Sequence, residues 1–215
     1  MALKIYDLTH TIEPGMPSYP GTPGPEVHPL ATIEEHGFAE QLLTFSSHVG
    51  THVDLPSHIL PEKFFPDVFS ASQFAGSGMV IEVRCAPGEL ISIEQLMPFC
   101  ERIRASEFLL LCSGWSGYWG IPGYFEGYPV LSAAAARWLT GFALKGLGVD
   151  MISVDETGSV DLPIHNILLQ HGMILIENLT GLSSLLHHDF LFCCFPLKIA
   201  GAEASPVRAV ALFDL

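Results

Sequence analysis

Residues 48–58 read His48-Val49-Gly50-Thr51-His52-Val53-Asp54-Leu55-Pro56-Ser57-His58, in a chain with only nine Lys plus Arg. Neutral imidazole and carboxylate are natural ligands of zinc and of harder ions such as manganese. An i, i+4 pair of histidines would suit a helix. Gly50, Pro56 and the β-branched Val49, Thr51 and Val53 argue against one here. On a strand, His48, His52, Asp54 and His58 share parity and hence a face. A straight strand would hold the Cα atoms of His48 and His52 about 13 Å apart, a strained span for one ion. The chain must therefore bend between them if they share a metal, and Gly50 is the residue that permits it. Asp54 lies only about 7 Å beyond His52 by the same rise. A solvated turn or a purely structural metal fits less well. Structural zinc sites fill four positions and favour cysteine, and none of the five cysteines lies near in sequence.

Two later residues are candidates for the same chemistry. His165 sits in a Pro163-Ile164-His165-Asn166 turn that opens a short helix. Glu177 ends the apolar run Met173 to Ile176. A carboxylate at the end of a buried strand is costly unless paired or metal-bound, and α/β sheets place their ligands at that end. Taken alone, each also fits a bland reading, as a half-buried helix residue and a strand-end acid.

The elements that must position these groups alternate between strand and helix. Ile5–Ile12, Gln41–Ser46, Gly78–Val83, Phe108–Cys112, Val149–Val154, Met173–Ile176, Phe190–Phe195 and Val207–Phe213 read as strands. Ser92 with Gln95 offers a capping box before the apolar positions Ile93, Leu96, Met97, Cys100 and Ile103. Ser132 caps a helix expected over Ala133–Leu144, and Pro163–Gln170 is a second short helix. The continuous apolar strands predict a parallel or mixed sheet with helices against it. The N-terminal quarter, with strands and a Pro/Gly-rich loop at 14–25, predicts an antiparallel layer. No linker divides the chain, so one domain over 1–215 is expected.

Composition narrows the class. The chain of 215 residues is 49% hydrophobic and 15% charged, with 23 acidic against nine basic residues. The acidic excess argues against nucleic acid or an anionic membrane as partner. No apolar run reaches the roughly 18–20 residues of a membrane span, and no leader peptide is evident. Five scattered cysteines suit buried thiols in a reducing cytoplasm. The low charge fraction suits surface hidden in a homo-oligomer.

The stretch His48-x-Gly50-Thr51-His52-x-Asp54-x-Pro56-x-His58 resembles the H-x-G-T-H-x-D-x-P-x-H motif of the cyclase family of metal-dependent hydrolases, which includes kynurenine formamidase (arylformamidase) and isatin hydrolase. Tyr19-Pro20-Gly21, Ser113-Gly114-Trp115, Glu177-Asn178-Leu179, Pro196-Leu197-Lys198 and Ser205-Pro206-Val207-Arg208 look like further landmarks of that family, so the resemblance spans nearly the whole chain. It implies an α/β fold of three layers, a swivelling β/β/α arrangement with a central, mostly parallel sheet, a second antiparallel sheet and flanking helices. It implies one or two divalent ions, zinc or manganese. His48, His52, Asp54, His165 and Glu177 match the family's ligands, and Asp54 or Glu177 is able to bridge two ions. His58 matches a histidine that moves protons. A homodimer or homotetramer is also implied.

The resulting expectation is hydrolysis of an amide, formamide or lactam bond of a small aromatic molecule by a metal-activated water, with His58 as proton carrier. Phe38, Trp115, Tyr118 and Trp119 are candidate walls for such a substrate. Two other classes fit the same ligands: a non-hydrolytic cyclase or lyase, and a metal-dependent small-molecule binding protein.

Overall fold

The computed structural model describes residues 3–61, 68–86 and 88–214. In chain order its strands are β1 (Leu3–Asp7), β2 (Glu26–Ala31), β3 (Glu40–Thr44), β4 (His52–Asp54), β5 (Ala75–Glu82), β6 (Leu90–Ile91), β7 (Phe108–Cys112), β8 (Val130–Leu131), β9 (Gly146–Val149), β10 (Ile174–Glu177), β11 (Phe190–Cys193), β12 (Ala204–Pro206) and β13 (Val210–Asp214). The helices are α1 (Ile33–His36), α2 (Ile93–Leu96), α3 (Cys100–Arg104), α4 (Ala133–Leu139) and α5 (Pro163–Leu169). Nine strands form one mixed sheet in the order β1-β13-β11-β5-β7-β9-β10-β4-β12. Its centre, β5-β7-β9-β10, is parallel, and the strands on both flanks are antiparallel.

The parallel centre follows from residues that are apolar on both faces. Leu109 and Leu111 point into a core built with α2, α4 and α5, whereas Phe108 and Leu110 point into a second core against Phe74, Phe192 and Leu179. Each fully buried Leu or Phe contributes about 1.5–3 kcal/mol. The glycines of β9 serve the same packing. A Cβ on Gly148 would lie 2.5 Å from Leu110 Cδ2 and 2.6 Å from Leu179 Cδ1. This shifts the strand from the expected 149–154 to Gly146–Val149. Residues 150–155 are bends and irregular backbone instead.

The antiparallel structure of the N-terminal quarter divides in two. β1 joins the edge of the large sheet beside β13, and β2 pairs with β3 as a separate, largely exposed ribbon. The apolar run after Ser92 breaks at Pro98, which has no N–H to continue a helix, into α2, a 3₁₀ turn and α3. Ser92 makes no side-chain cap, whereas Ser132 Oγ accepts from the Ala135 N–H as expected. α4 stops at Leu139, short of the expected Leu144, because the chain must turn into β9 at Gly146.

Candidate metal centre

The centre forms where β4 lies antiparallel to β10. Their register sets His52 directly opposite Glu177, with Asp54 opposite Leu175. Residues opposite one another, and residues two apart, share a face, so His52, Asp54 and Glu177 project together. Ahead of β4 the chain bends at Gly50, whose φ is 59°. A Cβ there would also approach Met16 Cε to 2.9 Å. That bend turns His48 back over His52, with ring centroids 5.0 Å apart, as the distance argument required. His165 arrives from the first turn of α5.

The five groups converge on Asp54 and Glu177. His48 Nδ1 lies 2.9 Å and His52 Nε2 3.3 Å from Asp54 Oδ1. His165 Nε2 lies 3.5 Å from both Asp54 Oδ2 and Glu177 Oε1, and His52 Nε2 is 3.5 Å from Glu177 Oε2. His52, Asp54, His165 and Glu177 are almost wholly buried. Among the described residues, His52 Nε2 and both Asp54 oxygens are buried and make no well-angled hydrogen bond, although imidazole and carboxylate atoms crowd within 2.9–3.5 Å of one another. Buried polar atoms are rarely left so, and three of them aimed at one point suit a divalent cation.

Each of these imidazoles is gripped by its other nitrogen. His52 Nδ1 lies 2.8 Å from the Gly50 carbonyl, which can only accept, so Nδ1 carries the proton and Nε2 keeps its lone pair when neutral. His165 Nδ1 is 2.7 Å from Asp155 Oδ2, and His48 Nε2 is 3.3 Å from Glu203 Oε1. Such outer partners are what orient metal-binding histidines. Asp155 also accepts from the Ile164 and His165 N–H groups, at 2.9 and 3.0 Å. It thereby caps α5, whose own N-cap, Leu162, has no side chain able to do so. Leu162 sits at φ 41°, a strained conformation for leucine, and its side chain faces the cavity described below.

Charge is tightly coupled in this cluster. Burial alone would push the His52 imidazole down, but Asp54 and Glu177 reverse this and drive it up to about 10. Burial likewise opposes charge on His165, and Asp155, Asp54 and Glu177 together push it up to about 12. Asp54, which burial would raise, is held well below the usual carboxylate range by His48 and His52. Two buried carboxylates facing three imidazoles are balanced either by protons or by a divalent ion.

His58 differs from the others. It stands on the 3₁₀ turn Pro56–His58, with its ring 4.5 Å from His48 and 5.7 Å from His165. Burial lowers its pKa, and the positive His48 and His165 add to this against the pull of Asp54 and Glu177. It is therefore a neutral base near pH 7. Its nitrogen also falls in a second metal-competent group with His48 and Asp54, beside the group His52, Asp54 and Glu177. Asp54 belongs to both.

These residues line a cavity of about 420 Å³ together with Tyr19, Thr22, Ser46, Ile152, Ser153, Ser159 and Leu162. The residues expected as aromatic walls lie elsewhere. Trp115 donates from Nε1 to the Tyr124 carbonyl and packs on Tyr118 and Tyr128, with Tyr118 half-exposed beside it. Trp119 stacks on His10, and Phe38 is exposed at the foot of the β2–β3 ribbon. Sequence reasoning missed Asp155 and Glu203 and gave Tyr19 no role in the site. An α5 start lacking a capping side chain was a signal for Asp155. For Glu203, far along the chain, there was none.

A buried His/Asp/Glu centre at the C-terminal edge of a mixed sheet defines the class, and the cyclase family model matches residues 6–156. The chain belongs to the cyclase family. An uncharacterized protein of Methanocaldococcus jannaschii is 30% identical over 98% of this chain and all of its own length. A kynurenine formamidase of Delftia acidovorans is 26% identical over 98% of each chain. Isatin hydrolase A from Ralstonia solanacearum shares the fold with a TM-score of 0.88, at 22% identity over 99% of this chain and 92% of its own.

Proposed function

We propose that the protein is a metal-dependent hydrolase that cleaves a carbon–nitrogen bond, in an amide, formamide or lactam, of a small molecule. The observation that carries this is the closeness of donor atoms from His52, Asp54 and Glu177, all buried, on the wall of a cavity. The kinship with enzymes named kynurenine formamidase supports the bond type. Zinc or manganese suits a set of imidazoles and carboxylates. His48, His52, Asp54, His165 and Glu177 would hold one or two ions; the donor atoms of His52, Asp54 and Glu177 lie close enough together to share one. A divalent ion there supplies Lewis-acid polarisation and lowers the pKa of a water towards about 7.

The chain's own groups do the rest. His58, neutral and on the cavity wall, accepts the proton released as water adds to the carbonyl carbon. It returns that proton to the leaving nitrogen as the C–N bond breaks. Tyr19, Ile152 and Leu162 form the walls for a flat ring in place of Trp115, Tyr118 and Phe38. A second reading makes His58 a ligand of a further ion with His48 and Asp54, supported by the closeness of their donor atoms. Metal content of His58→Ala separates the two.

The functional test incubates zinc- or manganese-loaded protein with N-formylkynurenine, isatin and simple formanilides. Metal-dependent release of the amine or ring-opened acid is expected. Tight binding with no product would overturn the hydrolase reading in favour of a binding protein. Conversion without uptake of water would favour a cyclase or lyase. We also propose a single domain over 1–215 in the reducing cytoplasm, supported by five free thiols, as a homodimer or homotetramer. Leu30, Ile33, Phe38, Leu42 and Leu43, all exposed on or beside the β2–β3 ribbon, support the assembly. Among the described residues no helix is long and apolar enough to cross a membrane.

A further inference from the structure

We infer that Asn178 is the positioning residue that fixes His52 and Glu177 at the metal centre, and that the Tyr124 hydroxyl locks its amide in place; this rests on the metal reading above. Asn178 is buried, and each of its polar groups has a protein partner. Its N–H donates to the Met151 carbonyl at 2.9 Å, and its carbonyl accepts from Thr51 Oγ1 at 2.6 Å. Its Nδ2 donates to the Gly50 carbonyl at 2.9 Å, and its Oδ1 accepts from Tyr124 Oη at 2.7 Å.

The orientation of this amide is dictated by chemistry. The Gly50 carbonyl can only accept, so the NH₂ side must face it. That leaves Oδ1 for Tyr124, whose hydroxyl must then donate. Burial pushes the Tyr124 phenol far above its usual range, so the donor proton stays on it.

Gly50 O is thus shared by two donors, Asn178 Nδ2 and His52 Nδ1. The first holds the carbonyl in position; the second uses it to set the tautomer and ring plane of His52. The same residue follows Glu177 directly, and its backbone adopts φ 56°, a left-handed conformation that asparagine tolerates better than most residues. That turn ends β10 at Glu177. The Thr51 and Met151 bonds then tie the turn to the segments on either side. One side chain so couples two ligands that lie opposite each other across β4 and β10.

Tyr124 brings in a third region. Its ring is buried and packs edge-on against Trp119 and Phe125. The aromatic loop expected to contact substrate supports the centre from behind.

The test measures zinc affinity by competition with a chromophoric chelator, and the visible absorption of Co²⁺-loaded protein, in Tyr124→Phe, Asn178→Asp and Asn178→Gly. Glycine keeps the left-handed backbone while removing the amide. Aspartate keeps the shape and reverses the donor. Outer-sphere changes weaken metal binding about 10–100-fold. The expected result is roughly tenfold for Tyr124→Phe and towards a hundredfold for the Asn178 variants, with shifted Co²⁺ bands in each. A purely structural role would lower the metal-free melting temperature and leave the Co²⁺ spectrum unmoved. Unchanged affinity and spectrum in folded Tyr124→Phe and Asn178→Gly overturn the inference. If no Asn178 variant folds, Tyr124→Phe alone decides it by the same criterion. A wild-type protein that binds neither ion overturns the metal reading itself, and is seen before any variant is compared.

Discussion

Asp155→Asn isolates the grip on one ligand at almost constant shape. The carboxylate accepts three hydrogen bonds, from the Ile164 N–H, the His165 N–H and His165 Nδ1. Oδ2 takes the last two, so an amide nitrogen in its place would oppose two donors; flipped, it would oppose the Ile164 N–H instead. At least one bond to a charged acceptor is lost, worth about 1.5–3 kcal/mol, and two if the amide keeps the present orientation. At roughly 2–4 °C per kcal/mol for a chain of this size, the metal-free protein should melt about 3–12 °C lower for one lost bond and about 6–24 °C lower for two. Metal affinity should fall separately, by about 10–100-fold, because His165 loses its orienting carboxylate. Every tenfold removes a further ~1.4 kcal/mol from the metal-bound form. Melting curves with chelator and with excess zinc, plus a zinc titration, read the two effects apart. Affinity within twofold of wild type would refute the role of Asp155 in orienting a ligand. An unchanged metal-free melt would refute its role as the cap of α5.

Three further outcomes are expected. His58→Ala should lose most turnover and retain its metal, whereas His52→Ala should lose both; activity assays with metal analysis check this, and an emptied site in His58→Ala would make His58 a ligand. Gly148→Ala places a methyl against Leu110 and Leu179 and should cost about 1–3 kcal/mol, read as a lower melting temperature with the metal affinity little changed. His10, lowered to about 4 by burial under Trp119, folds in its neutral form. Its contribution is therefore complete above the unfolded value near 6.5 and is lost as pH falls towards 4. The melting temperature of wild type should decline more steeply over that window than that of His10→Phe, and parallel slopes would refute it.

The centre of the sheet was legible because residues such as Phe108–Leu111 are apolar on both faces, a pattern that only a strand covered on both sides explains. The cluster at 48–58 was legible because local spacing and Gly50 dictate its bend. β9 was misplaced because its essential residues are glycines, selected by the side chains of neighbouring strands, and a glycine carries no strand signal of its own. The same holds for Glu203 and Asn178. Each acts on a residue brought near by topology, so composition and periodicity around it are silent. The aromatic residues of 115–119 do not line the cavity but pack on other rings, and a sequence does not separate a ring that packs on its neighbours from one that faces a site.

The pairing of β4 with β10 carries a consequence for how the protein breathes. β4 is the penultimate strand and β12 the outermost, so the ligand-bearing margin belongs to the part of a sheet that frays most readily. An ion held as proposed, by His52 and Asp54 on one strand and Glu177 on the next, would act as a rivet across that seam. Amide exchange in β4 and β12 should slow on metal loading far more than in β5 or β7, whose protection is already that of the whole molecule.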